Sequence, residues 1–280
     1  MNFTKYKFGY FFTLLSVLLN LILYWSGTYD SLEQKLYDYR FNLRGPLSGD
    51  YIHLNENRYN DLNNKAIKYN HVEDNDIIIV GIDQNSFNAI NMEYPPYDRC
   101  LIWAKAVKNL VDAGVSVIIF DIMFDKEKIE QDLIFSKSIK YAEERNVKII
   151  LAANNDRVRD VADRQYSLVK PSQYIINNTH SKLGLVGTRS DSDDFVRRYL
   201  AFDSSTNHYP IALQAVMSFK NENLIINSDG VKIGDLFIPF YSTQNTFLIN
   251  YFGPNSFVLG NTFNTFSLSE ILDDGNSKNT

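Results

Sequence analysis

Ile77-Ile78-Ile79-Val80-Gly81-Ile82-Asp83, Val115-Ser116-Val117-Ile118-Ile119-Phe120-Asp121 and Val147-Lys148-Ile149-Ile150-Leu151-Ala152-Ala153 are three short apolar runs rich in β-branched residues. Such runs read as strands covered on both faces. Leu101, Ala104, Val107, Leu110 and Val111 recur at helical spacing between the first two runs, and Gly114 is placed to cap that helix at its C-terminus. Leu133, Ile134, Ser138, Ile139 and Ala142 do the same between the second and third. Parallel strands joined by right-handed helical crossovers are the economical solution, so the expected fold class is α/β with a βαβαβ parallel-sheet core.

In an open parallel sheet the polar crevice lies beyond the carboxyl ends of the strands. Asp83 and Asp121 end two of the predicted strands, expected to be neighbours, and Asp125 follows one turn later. Carboxylates converging there could hold a divalent cation, bind a cationic ligand or do acid/base work. An Asp after a buried strand also serves as a cap, its side-chain oxygen accepting from the next turn.

Phe8 to Trp25 is an uncharged run dominated by Leu, Phe, Val and Ile, close to the length a hydrocarbon core demands. Lys5 and Lys7 precede it and Asp30 and Glu33 follow, which predicts a cytoplasmic N-terminus and an extracytoplasmic main domain at the inner membrane. Tyr6, Tyr10, Tyr24 and Trp25 stand where aromatic belts form. A cleaved signal peptide is the rival reading, but Tyr24-Trp25-Ser26-Gly27 lacks the small-x-small cleavage pattern. The expected division is therefore 1–28, a cytoplasmic tip and single transmembrane anchor, and 29–280, one extracytoplasmic domain.

A helix is predicted from Tyr29 to Gly45-Pro46, then an Asn- and Tyr-rich excursion over 47–76. Residues 154–181 read as an irregular, solvated loop of mixed charge. Ser190-Asp191-Ser192-Asp193-Asp194 lacks the glycine and distal glutamate of an EF-hand loop, and Arg197 or Arg198 could instead neutralise it. A helix over 210–219 precedes antiparallel strands near 237–240 and 247–252.

The 280 residues carry a net charge of −5 and no Lys/Arg stripe with interleaved aromatics, which argues against a nucleic-acid partner. One cysteine, Cys100, excludes an intramolecular disulfide framework, and the four histidines (His53, His71, His180, His208) have no ligand spacing. Phosphate-cradling glycine loops and nucleophile elbows are absent from the sequence, so no cofactor is expected.

The order of motifs carries a resemblance. Tyr37-Asp38-Tyr39-Arg40-Phe41-Asn42-Leu43-Arg44-Gly45-Pro46 follows the apolar segment, then Ile78–Asp83 with Ser86, Tyr94-Pro95-Pro96-Tyr97-Asp98-Arg99, Leu110–Val115, Val117–Phe124 with Asp132, and Asp194-Phe195-Val196-Arg197-Arg198. This set resembles the CHASE2 domain, an extracytoplasmic sensory module of bacterial receptors. The resemblance implies a sensor of an unknown small-molecule or envelope signal, coupled through the membrane to a cytoplasmic cyclase or kinase. The family's charged motif positions fall on Asp83, Arg99, Asp121, Asp132 and Arg197, and no catalytic residues come with it. The family pattern continues past Leu272, so this chain corresponds to a fragment or to a truncated module completed by something else. The expected ligand-binding residues are Asp83, Ser86, Arg99, Asp121, Asp125 and Arg197, and a homodimer is expected to carry the signal. The rival readings are a metal-dependent periplasmic hydrolase using Asp83 and Asp121, and an envelope scaffold.

Overall fold

The computed structural model describes residues 3–44, 77–90, 99–157, 166–188, 190, 191, 193–241, 245–251 and 263–273. The predicted excursion over 47–76, and His53 and His71 with it, lie outside them. The chain divides into two units, Met1–Ile78 with Tyr251–Thr265, and Ile79–Asn250 with Phe266–Thr280.

The first unit holds α1 (Phe3–Trp25) and α2 (Thr28–Arg44). The predicted helix from Tyr29 is thus present. Gly27, at φ 70°, takes the left-handed conformation that separates the two helices.

The second unit is a mixed α/β structure. Its centre is β3 (Lys148–Arg157), which pairs in parallel with β2 (Val117–Phe120) on one edge and β5 (Lys182–Leu185) on the other. β1 (Ile78–Gly81) departs from expectation: it pairs with β11 (Asn264–Ser267), and no ladder joins it to β2 among the described residues. The third parallel strand is instead β5, which overlaps Leu183-Gly184-Leu185-Val186-Gly187, a short apolar segment punctuated by glycines.

β2 and β3 are linked by α5 (Ile129–Glu144), and β2 is preceded by a π-helical turn (Arg99–Trp103) running into α4 (Ala104–Asp112). Gly114 follows α4 at φ 88°, as the helix stop requires. These elements enclose a core in which Phe120 meets Trp103, Phe124 and Phe135 edge-on at 5.8, 5.6 and 5.5 Å between centroids. Such pairs add about 0.5–1.5 kcal/mol each beyond area burial.

The predicted loop over 154–181 holds secondary structure among its described residues. β3 extends to Arg157 and turns antiparallel against β4 (Tyr166–Val169), and α6 (Gln173–Ile176) is capped by Ser172. The amide-rich strand end satisfies its backbone in a hairpin arm, which charge patterning does not reveal.

After α3 (Gln84–Ile90) and β6 (Arg198–Leu200), α7 (Ile211–Lys220) crosses β5. A meander of β7 (Leu224–Ile226), β8 (Gly230–Ile233) and β9 (Leu236–Pro239) follows, with β10 (Thr246–Leu248) antiparallel to β6 and α8 (Leu268–Leu272) at the end. Leu213, Leu224, Val231 and Ile233 form a second, smaller core.

The α7 crossing depends on Gly184, where an added Cβ would lie 2.6 Å from Ile211 Cα, a backbone atom. Gly184→Ala should therefore push α7 off the sheet and cost about 1–3 kcal/mol in urea unfolding.

Candidate functional site

The six residues expected to bind ligand sort into separate local networks. Asp83 stands at the start of α3, and its Oδ1 accepts from Ser86 N–H (2.8 Å), Ser86 Oγ (2.8 Å) and Ser267 Oγ (2.7 Å). The Ser267 hydroxyl first, then the Ser86 amide and hydroxyl, hold its carboxyl below the usual range. Ser86 is fully buried beneath it.

Arg99 is buried in the π-helical turn, where it pairs with the fully buried Asp132 and lies 5.3 Å from the Phe124 ring centroid. Asp132 Oδ2 also accepts the Lys128 N–H at 3.0 Å, tying the first turn of α5 to the pair. Arg197 is likewise buried. Its guanidinium donates to Asp193 through two bonds of 2.8 Å and to Asp191 at 3.2 Å, and it lies 5.0 Å from the Phe195 ring centroid. The arginine thus neutralises the acidic turn. Asp121 and Asp125 are exposed.

The carboxyl end of the parallel ladder does open into a cavity, of about 480 Å³, at β3 and β5. This volume falls within the range of small-molecule sites. Asn154 and Asn155, where β3 passes from its parallel ladder to its pairing with β4, line one wall, Gly187 and Thr188 follow β5, and Asp191, Arg198, Tyr199, Asp203 and Ser205 complete the polar lining.

Asn155 Nδ2 donates to Asp203 Oδ2 at 3.1 Å, while its Oδ1 is buried and finds no partner among the described residues. Unsatisfied buried polar atoms are uncommon and call for a cause such as function. Burial works to raise the Asp203 carboxyl, but hydrogen bonds from the Ser205 side chain and backbone and from Asn155 outweigh it, and the carboxyl lies below its ordinary value. Arg198 Nε reaches Asp191 at 3.4 Å. Burial pushes the Tyr199 phenol up, against the opposing hydrogen bond with the Ala212 N–H.

None of the six expected residues lines this cavity, although Arg197 fixes Asp191, which does. Asn155, Tyr199, Asp203 and Ser205 are additions from the structure. The available signal was Asn154-Asn155 itself, two amides directly after the third apolar run, at the strand end that topology makes polar.

A family model described as the CHASE2 domain matches residues 13–279, nearly the whole chain. The chain belongs to the CHASE2 family. No curated protein and no solved structure matches it significantly. CHASE2 domains are extracytoplasmic sensory domains, so a sensory role and a non-catalytic chain are consistent with membership. Of the charged CHASE2 motif positions, Asp83, Arg99, Asp132 and Arg197 hold parts of the chain to one another. Among the described residues, no group of three His, Cys, Asp or Glu could hold a metal ion.

Asp132→Ala would strand the buried Arg99 charge and should cost about 3–5 kcal/mol in denaturant unfolding, while the double replacement Arg99→Met/Asp132→Leu should recover most of it. The acid limb is set in part by Asp193, whose carboxyl the Arg197 guanidinium holds down from 3.8 to about 2. Ionised Asp193 thus stabilises the fold above 3.8, and that contribution disappears as pH falls toward 2. Acid titration of Asp193→Asn followed by circular dichroism should show a shallower loss of stability across this window than the parent protein.

Proposed function

We propose that this CHASE2 chain is a membrane-anchored, extracytoplasmic sensor that binds a small polar ligand in the cavity at the carboxyl end of the parallel ladder between β3 and β5. The cavity itself carries this reading: its volume of about 480 Å³ and its mixture of amides, hydroxyls, two carboxylates and Arg198 suit a neutral or zwitterionic molecule with both donors and acceptors. In this proposal α1 crosses the inner membrane once, with the N-terminus cytoplasmic. Phe8–Trp25 is an 18-residue apolar span, which supports the anchor by length and composition.

Ligand would favour one of two arrangements of the acidic turn, since Asp191 belongs both to the cavity wall and to the Arg197 knot. Asp83, Ser86, Arg99, Asp121 and Asp125 lie outside the cavity lining, and the first three hold parts of the fold together. Transmission inward would use a homodimer and a cytoplasmic cyclase or kinase effector. The metal-dependent alternative is weaker, because Asp83 Oδ1 already accepts three hydrogen bonds.

Thermal shift of the full chain in nanodiscs, screened against amino acids, sugars and small polyols, tests the cavity. At least one class should raise Tm by mass action. Asn155→Ala and Arg198→Ala should abolish that rise, and Asp83→Asn should lower the baseline Tm while retaining it. Loss of the rise in Asp83→Asn alone would move the site to the β1 end.

A further inference from the structure

α2 has two apolar faces, and its own unit uses one. Tyr37 and Phe41 meet edge-on at 4.9 Å between centroids, and Phe41 meets Tyr251 at 5.8 Å. The other face carries Leu32, Leu36, Tyr39 and Leu43, which remain 52%, 49%, 56% and 61% exposed. At about 100° per residue these four fall within an arc of roughly 60°. Lys35 and Arg40, both exposed, occupy its two shoulders, one on each side, and Glu33 and Asp38 lie farther round.

The position of this helix restricts what can cover the stripe. The apolar span ends at Trp25, and α2 begins at Thr28, directly after the left-handed break at Gly27. If α1 is the anchor, as the proposed function holds, α2 starts at the membrane surface.

Two coverings fit an apolar stripe there, a second copy of the chain or the lipid. The 4-3-4 spacing of Leu32, Leu36, Tyr39 and Leu43 would serve as a coiled-coil seam. Two copies anchored from the same end are parallel, however, and parallel pairing sets Lys35 of one copy against Arg40 of the other on both sides of the seam. Headgroups of acidic lipids present the opposite charge to the same two cations, whose stems can lie along the apolar boundary. Tyr39 also suits an interface, with an apolar ring and a polar tip.

We infer that α2 lies in the plane of an anionic membrane surface, with Leu32, Leu36, Tyr39 and Leu43 in the acyl boundary and Lys35 and Arg40 at the phosphates. The proposal rests on α1 being the anchor, and its test separates the two. The full chain carrying Cys100→Ser receives single spin labels at Leu36, Tyr39, Ser31 or Leu15 in vesicles of phosphatidylethanolamine and phosphatidylglycerol. Collision with oxygen and with a water-soluble nickel chelate is then measured.

Labels at Leu36 and Tyr39 should lose access to nickel and keep access to oxygen, whereas the Ser31 label keeps its access to nickel. Lys35→Glu/Arg40→Glu should restore nickel access at Leu36. Nickel access at Leu36 and Tyr39 with oxygen preference at Leu15 overturns the surface helix and leaves the anchor standing. Exclusion of both reagents at Leu36 and Tyr39 means protein covers the stripe, which also overturns it. Nickel access at Leu15 removes the anchor, and the proposal with it.

Discussion

The double pairing of β3 is the constraint from which the second unit follows. From Ile149 to Ala153 every residue is buried, and Ile150 and Leu151, where the two ladders overlap, have parallel partners on both edges. A strand so placed needs cover on both faces. Ile149 and Leu151 face the aromatic core with Phe135 and Ile139, and alternation sends Ile150 and Ala152 to the other side, where α7 packs across β2, β3 and β5. Gly184 and the edge-on aromatic rings are consequences of closing those two layers. The cavity begins where this burial ends, at Asn154.

Two buried arginines show how the same chemistry is used differently. Arg99 and Asp132 are both out of water, so the pair contributes less to net stability than either partner would cost if left alone. Its effect is to fix the π-helical turn against α5. Arg197 is buried too, but its partner Asp193 reaches solvent, and Asp191 connects the knot to the cavity wall. The first pair is sealed within the core, and the second stands at a boundary where occupancy of the cavity can be felt.

β2 and β3 were legible as the apolar runs Val117–Phe120 and Ile149–Ala153, although Ile119 of β2 is exposed, whereas β4 and β5 were not, because Tyr166–Val169 and Lys182–Leu185 are short and interrupted by polar residues or glycine. The partner of β1 was not, since Asn264-Thr265-Phe266-Ser267 is mostly polar and carries no strand signal of its own. β7 and β8 were also missed, because three- and four-residue strands with exposed Ile225 and Ile226 are too short for periodicity to show. The capping role open to Asp83 and the neutralising role open to Arg197 were readable, because both involve near neighbours in sequence. Asn155, Asp203 and Ser205 were not, because an amide and the carboxylate and hydroxyl 48 and 50 residues beyond it become a site only when the fold brings them together.

The hydrogen bond from Ser267 to Asp83 spans 184 residues. Ser267 also opens α8, through a capping box with Glu270, so the hydroxyl that begins the last helix completes the cap on α3. Closing so long a loop carries an entropic cost that nearby contacts do not, and it is met only after the intervening chain has become compact. The central ladder can form from residues within a few dozen positions of one another. Among the described strands of this unit, the first to be synthesised is therefore expected to be among the last secured, because the cap beside it waits for a residue 184 positions downstream.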